Sequence, residues 1–236
     1  MMETKWILSI LVGAWLFFCA EKTNLKREKV VVKDGSEVIK RNHLKMALGT
    51  DFGNYIHTDT TYTTSSGKGI TIQNSFPKGG MIEPGVKQYV DPTGKKYGFA
   101  VFWTRVINET SDPLALHINV PKDLFAIFTV PDAYARLLLP SQKVTLDKLS
   151  TFNYGLTDLQ AYLDANLGKT SLLRTTIEPN QEHLFHMAAL TYKVGGTVRA
   201  GLVLKEQDLY YKLGVVPYGS GTIPIGKIDF KTASDH

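Results

Sequence analysis

Residues 97–120 read YGFAVFWTRVINETSDPLALHINV. At a period of two, Tyr97, Phe99, Val101, Trp103, Arg105 and Ile107 share one face, and Gly98, Ala100, Phe102, Thr104, Val106 and Asn108 share the other. Neither face carries enough polar surface to meet water, so the segment reads as a strand covered on both sides. Asn108 to Pro113 is a run of turn formers. Beyond it, Leu114, Leu116, Ile118 and Val120 alternate with Ala115, His117 and Asn119. The whole phrase is expected to be an antiparallel hairpin at the centre of a sheet, its arms meeting around Ser111.

Working outward, the same short alternating pattern recurs between turn signals. Ile70-Thr71-Ile72 and a short segment around Tyr89 precede the central phrase, with a Pro- and Gly-rich loop at 76–85 between them and the turn Asp91-Pro92-Thr93-Gly94 after them. Phe125–Val130 and Tyr134–Leu139 are short apolar segments cut by prolines. Later come Ser171–Ile177, a turn at Glu178-Pro179-Asn180, Glu182–Tyr192, the alternating runs 198–205 and 209–215, and a last strand over Ile223–Phe230. One helix interrupts them. Thr157-Asp158-Leu159-Gln160 has the form of a capping box, Leu159, Tyr162, Leu163 and Leu167 make a helical stripe, and Gly168 ends it. The expected class is all-β: an immunoglobulin-like antiparallel β-sandwich with one short helix around 158–167, forming a single body over residues 46–236. The strand ending in Asn-Glu-Thr-Ser-Asp-Pro and resuming in Leu-x-Leu-x-Ile resembles phrases of immunoglobulin-like sandwiches in bacterial envelopes. The cysteine pair of antibody-type domains is absent, so this resemblance implies architecture alone.

The N-terminus points to an address. Lys5 precedes an apolar run from Trp6 to Phe18, matching the charged and hydrophobic regions of an export signal. The run is short of the roughly 20 residues that a membrane span needs. Its end holds the one cysteine of the 236-residue chain, Cys19. Leu16 to Cys19 resembles the end of a bacterial lipoprotein signal, in which cleavage precedes a cysteine that becomes lipid-modified. Leu16 matches that pattern, whereas Phe17 and Phe18 stand where small residues are usual. The resemblance implies an export signal at 1–18, lipid attachment at Cys19, a tether over 19–45 and a place in the cell envelope; simple secretion and an uncleaved anchor are the alternatives. Without a second cysteine the body has no internal disulfide and must be held by its core.

The net charge of +5 and pI of about 9.1 invite a nucleic-acid reading, which the distribution of charge argues against. Residues 20–45 carry eight basic side chains against four acidic ones. The basicity therefore belongs to the tether, read either as lysines facing anionic headgroups or as a solvated linker with no partner. Within it Asp34-Gly35 joins two β-prone runs as a hairpin signal. The body is near neutral and offers no basic stripe for nucleic acid.

For chemistry, Gly168-Lys169-Thr170 follows a helix where a phosphate loop would open one, and Ser65-Ser66-Gly67-Lys68-Gly69 lacks the spacing. His183 and His186, on a strand, fall on opposite faces and cannot share a metal; on a helix they would lie side by side. The strand is favoured. No nucleophile elbow is spelled, no cofactor or metal is expected, and Asn108-Glu109-Thr110 is a sequon that also suits a turn. Tyr210, Tyr211 and Tyr218 are the candidate ligand surface, able to stack on a sugar or dock a protein. The sequence thus points to a non-catalytic binding or structural module of the envelope, the alternative being a secreted hydrolase assembled from loop carboxylates and histidines.

Overall fold

The computed structural model describes residues 52–63 and 69–230. The expected export signal over 1–18, the expected lipid-attachment residue Cys19 and the expected tether over 19–45 with its hairpin signal lie outside the described residues, as does most of the Ser65–Gly69 stretch. The strands are β1 (Ile56–Thr63), β2 (Gly69–Ser75), β3 (Lys78–Gly79), β4 (Tyr89–Val90), β5 (Lys96–Asn108), β6 (Leu114–Val120), β7 (Tyr134–Leu138), β8 (Ser171–Ile177), β9 (Glu182–Tyr192), β10 (Thr197–Lys205), β11 (Asp208–Val216) and β12 (Gly219–Phe230). The α-helix is α1 (Leu159–Asn166). One sheet runs β1-β2-β5-β9-β7, with β3 and β4 also pairing β5, and the other runs β10-β11-β12-β6-β8. All the pairings are antiparallel. The fold is the expected all-β sandwich, with one short α-helix among the described residues.

The central phrase corrects one expectation. Both arms are buried strands, but they do not pair with each other. β5 pairs with β2 and β9 in the first sheet, and β6 pairs with β12 and β8 in the second. The turn between them is an arch from sheet to sheet, and every connection from β5 to β10 likewise changes sheet. Asn108 explains the arch. Its Nδ2 donates to the carbonyls of Asp112 (2.8 Å) and Ile177 (2.9 Å), and its Oδ1 accepts from the Thr110 amide (2.9 Å) and hydroxyl (2.6 Å). Its backbone ties to the neighbouring arch, accepting from Asn180 and donating to Gln181. A residue this saturated fixes two crossings at once, and the buried amide of the sequon is committed to the fold.

The first sheet is covered on both faces, as the two-sided apolar pattern of β5 implied. Inward, Ala100, Phe102, Val106, Ile70, Ile72, Phe185 and Met187 meet Leu114, Leu116, Leu202, Leu213 and Ile223 of the second sheet. Outward, Tyr97, Phe99, Val101 and Trp103 lie under Tyr89, Leu149, Tyr154, Leu159 and Leu163. Leu159 and Leu163, four apart, form the buried stripe of α1. The expected capping box does not form: Asp158 is the N-cap in a left-handed conformation with no side-chain cap, while Thr157 donates its amide to Gln142 and Gln160 reaches Val90 and Asp164. Tertiary partners take the groups that a local cap would have used. His186 helps pin this outer layer, its ring nitrogens 3.1 Å from the carbonyl of Gln142 and 3.2 Å from that of Tyr154.

Candidate functional site

The second sheet keeps one face toward solvent, and its outward residues build a groove where β10, β11 and β12 meet the β1–β2 pair. Alternation puts Val198, Ala200, Leu202 and Leu204 inward and Arg199, Gly201 and Val203 outward; on β11, Lys212, Gly214 and Val216 face outward. In register, Arg199 faces Gly214 and Gly201 faces Lys212. The two cations therefore occupy one diagonal of a four-residue square, and glycines occupy the other. Ser220 of β12 extends the Gly214 rung. Together with His57, Thr58 and Asn74 these residues enclose a groove of about 470 Å3, within the usual range of small-molecule sites.

The wall across the groove comes from far away in sequence. Asn74 Oδ1 accepts from the Leu202 amide (2.8 Å) and the Thr104 hydroxyl (2.9 Å). Its Nδ2 donates to the Leu202 carbonyl (3.1 Å) and Thr58 Oγ1 (2.9 Å). All four of its hydrogen-bonding positions are used, and the amide caps the edge of β10 as a further strand would. Gly201 is required here: a Cβ would lie 2.8 Å from the Asn74 side chain. On β1 the register slips between Ile56 and Thr58, which makes His57 the extra residue of a bulge. Such bulges re-aim a side chain, and the His57 ring turns to lie 5.0 Å from that of Phe76.

The groove is cationic. Arg199 Nη1 donates to the Val198 carbonyl (3.0 Å), and its guanidinium lies 5.9 Å from the Phe76 ring. Among the described residues, neither Arg199 nor Lys212 has a carboxylate within 4.0 Å, whereas Arg105 on the first sheet is paired with Glu182. Burial, and then the charge of Arg199, hold His57 below its ordinary pKa of 6.5. Val203 and Val216 flank the cations at the two ends, roughly 20 Å apart along the strands.

A second polar constellation lies on the first sheet. Asp91 accepts from the Thr93 amide (2.9 Å) and hydroxyl (2.6 Å), the Lys95 amide (3.0 Å) and Tyr97 Oη (3.2 Å). Burial alone would raise its carboxyl, but these donors together bring it below the ordinary value. Lys95 Nζ meets Tyr134 Oη at 3.1 Å and lies 4.4 Å from the centre of the Tyr192 ring. Every charged group here has an internal partner.

The three tyrosines of the sequence reading do not form one surface. Tyr210 faces outward opposite Val203, at the end of the groove, with Lys205 over its ring at 5.2 Å. Tyr211 is fully buried between the sheets and cannot meet a ligand; burial raises its hydroxyl pKa. Tyr218 packs against Ala133, Val194 and Val215 beyond the other end of β11. Two adjacent strand residues must face opposite ways, and the core took the one in phase with Leu209 and Leu213. His183 and His186 lie on β9, on opposite faces as their spacing required, with His183 beside Phe185 and His186 under the outer layer. Gly168-Lys169-Thr170 follows α1 as a turn. The signal that could have located the groove was the pair of alternating runs, Arg-x-Gly-x-Val on β10 and Lys-x-Gly-x-Val on β11. His57 and Asn74 carried no such mark.

These features define an all-β sandwich with an open cationic groove on its solvent face. Comparison with protein-family models finds none that matches the chain, and comparison with curated proteins finds no match.

Proposed function

We propose that this protein is a non-catalytic binding module of the bacterial cell envelope, anchored by lipid at Cys19, whose groove holds a small anion-bearing ligand. The observation that supports it is the Arg199–Lys212 diagonal. Two cations on neighbouring strands, about 7–8 Å apart at their Cα atoms for diagonal partners, repel one another when no counter-charge is near. A bound anion turns that repulsion into attraction, and the Asn74 and Ser220 side chains, packed over the two glycines, form the floor between the cations. Hydroxyls from Thr58 and Ser220 add orientation, and apolar walls at both ends suit the uncharged part of a ligand, the mixture typical of a binding pocket. With the tether, the module would reach outward from the lipid surface toward a soluble or wall-bound partner, a carbohydrate or a protein carrying an acidic group.

Thermal unfolding tests the groove. At constant ionic strength, sulfate, phosphate or acetate is expected to raise the Tm of the wild type in a concentration-dependent way, and to leave an Arg199→Gln/Lys212→Gln double variant unmoved. A wild type that no anion stabilises would falsify the groove reading. Mass spectrometry of the native N-terminus tests the anchor separately: the expected result is acyl mass on Cys19 that disappears in Cys19→Ala, and an unmodified Cys19 sinks the anchor alone.

A further inference from the structure

We infer that the group held on the Arg199–Lys212 diagonal is a phosphate monoester rather than a carboxylate. This rests on the groove reading above and adds the chemical class of its ligand. The donors come from separate strands: the guanidinium from β10, the ammonium from β11, the Ser220 hydroxyl from β12 and the Thr58 hydroxyl from β1. Thr58 Oγ1 already accepts from Asn74 at 2.9 Å, so its hydrogen is free to be given to a ligand.

A carboxylate is planar, has two oxygens and carries one charge. The fork of Arg199 alone satisfies it, which leaves Lys212 without a counter-charge and the hydroxyls without a role. A phosphate monoester has three terminal oxygens pointing out of any single plane and close to two negative charges near neutral pH. That matches two cations and donors arriving from several sides. The ester oxygen then has two directions in which to lead: toward Val203 and Tyr210, or toward Val216, which is 65% exposed, and Pro217. Phe76, 39% exposed and in contact with both His57 and Arg199, adds apolar surface beside the groove. His57 lines the same groove, placed there by the bulge in β1.

Isothermal titration of the wild type at constant ionic strength tests this, with glycerol 3-phosphate, inorganic phosphate and acetate as soluble probes. Vesicles of phosphatidylcholine with and without phosphatidic acid present the same monoester on a lipid. Either phosphate compound is expected to bind at least tenfold more tightly than acetate, and Arg199→Gln or Lys212→Gln each to weaken it about tenfold or more. Lys193→Gln, the same charge change at a site paired with Asp132, is expected to leave affinity as it was. Binding of glycerol 3-phosphate alone assigns a soluble ester, and variant-sensitive binding to phosphatidic acid vesicles assigns a lipid headgroup; both support the phosphate. Equal affinity for acetate and phosphate overturns the phosphate assignment while the groove stands. Equal losses in Lys193→Gln and Arg199→Gln overturn it too, because the attraction is then diffuse. If none of the anions binds, the groove itself falls.

Discussion

Two polar constellations, one on each sheet, each hold a lysine and are put to opposite uses. On the first sheet Asp91, Lys95, Tyr97 and Tyr134 answer one another, and each charge has a partner within the cluster. On the second sheet Arg199 and Lys212 lie on one diagonal with glycines on the other, and among the described residues neither has a carboxylate within 4.0 Å. The difference follows from what covers each face. The first sheet lies under α1 and the loops around it, where an unpartnered charge would be costly. The second sheet's outer face meets water, which tolerates an unpaired cation and leaves it available to a ligand. A closed network stabilises the fold, and an open one is a place to bind.

The largest expected effect tests the closed cluster. Tyr97→Ala removes a side chain that is 4% exposed and packs in tilted contacts against the rings of Tyr89 and Tyr192, so chemical denaturation should show a loss of about 3–5 kcal/mol. A loss below about 1 kcal/mol would mean that the cluster is not part of the outer core. Asn74→Ala comes next, since it strands the amide and carbonyl of Leu202 and the hydroxyl of Thr104. Roughly 2–4 kcal/mol should go, and anion binding should go with it because the groove loses its far wall. A variant that keeps full stability would show that the β10 edge finds other partners.

Lys212→Gln should behave in the opposite way to both. Its effect on stability is expected to stay within about 0.5 kcal/mol while anion binding collapses; a marked loss of stability would place Lys212 among the structural residues and erase the contrast. The smallest effect is one of pH. The pKa of His57 in the folded state lies below 6.5, so its neutral form is favoured and its contribution to stability is complete above 6.5 and declines as pH falls below it. A bound dianion favours the protonated ring instead. Sulfate, whose own charge does not change in this range, should bind a few-fold more tightly at pH 6 than at pH 7.5, and His57→Gln should flatten that dependence.

Much of the architecture could be read from the residues. The two-sided pattern of β5 announced a covered strand, and both of its faces are covered. The offset of three between His183 and His186 placed them on opposite faces of β9. Pairing was harder. The Asn108–Pro113 turn looks like a hairpin because strand faces are written locally, whereas the partner across the turn is chosen by hydrogen bonds to Ile177, Asn180 and Gln181 on another arch. The capping box at Thr157 failed for the same reason, its groups being taken by Gln142 and Val90 from outside the helix. The tyrosines were singled out by type, yet phase along β11 decided that Tyr211 belongs to the core.

By itself the sequence determined which residues share a face in the strands that it marked, because alternation is a property of the backbone over two residues; β1, in a stretch rich in Thr and Tyr, carried no such mark. The sequence also set the near-neutral charge of the body and the single cysteine. Only the tertiary structure decided that Arg199 and Lys212 meet across two glycines beneath His57 and Asn74. That site depends on a contact such as Asn74 to Leu202, separated by 128 positions in the chain, and no local pattern records which distant segments will close on one another.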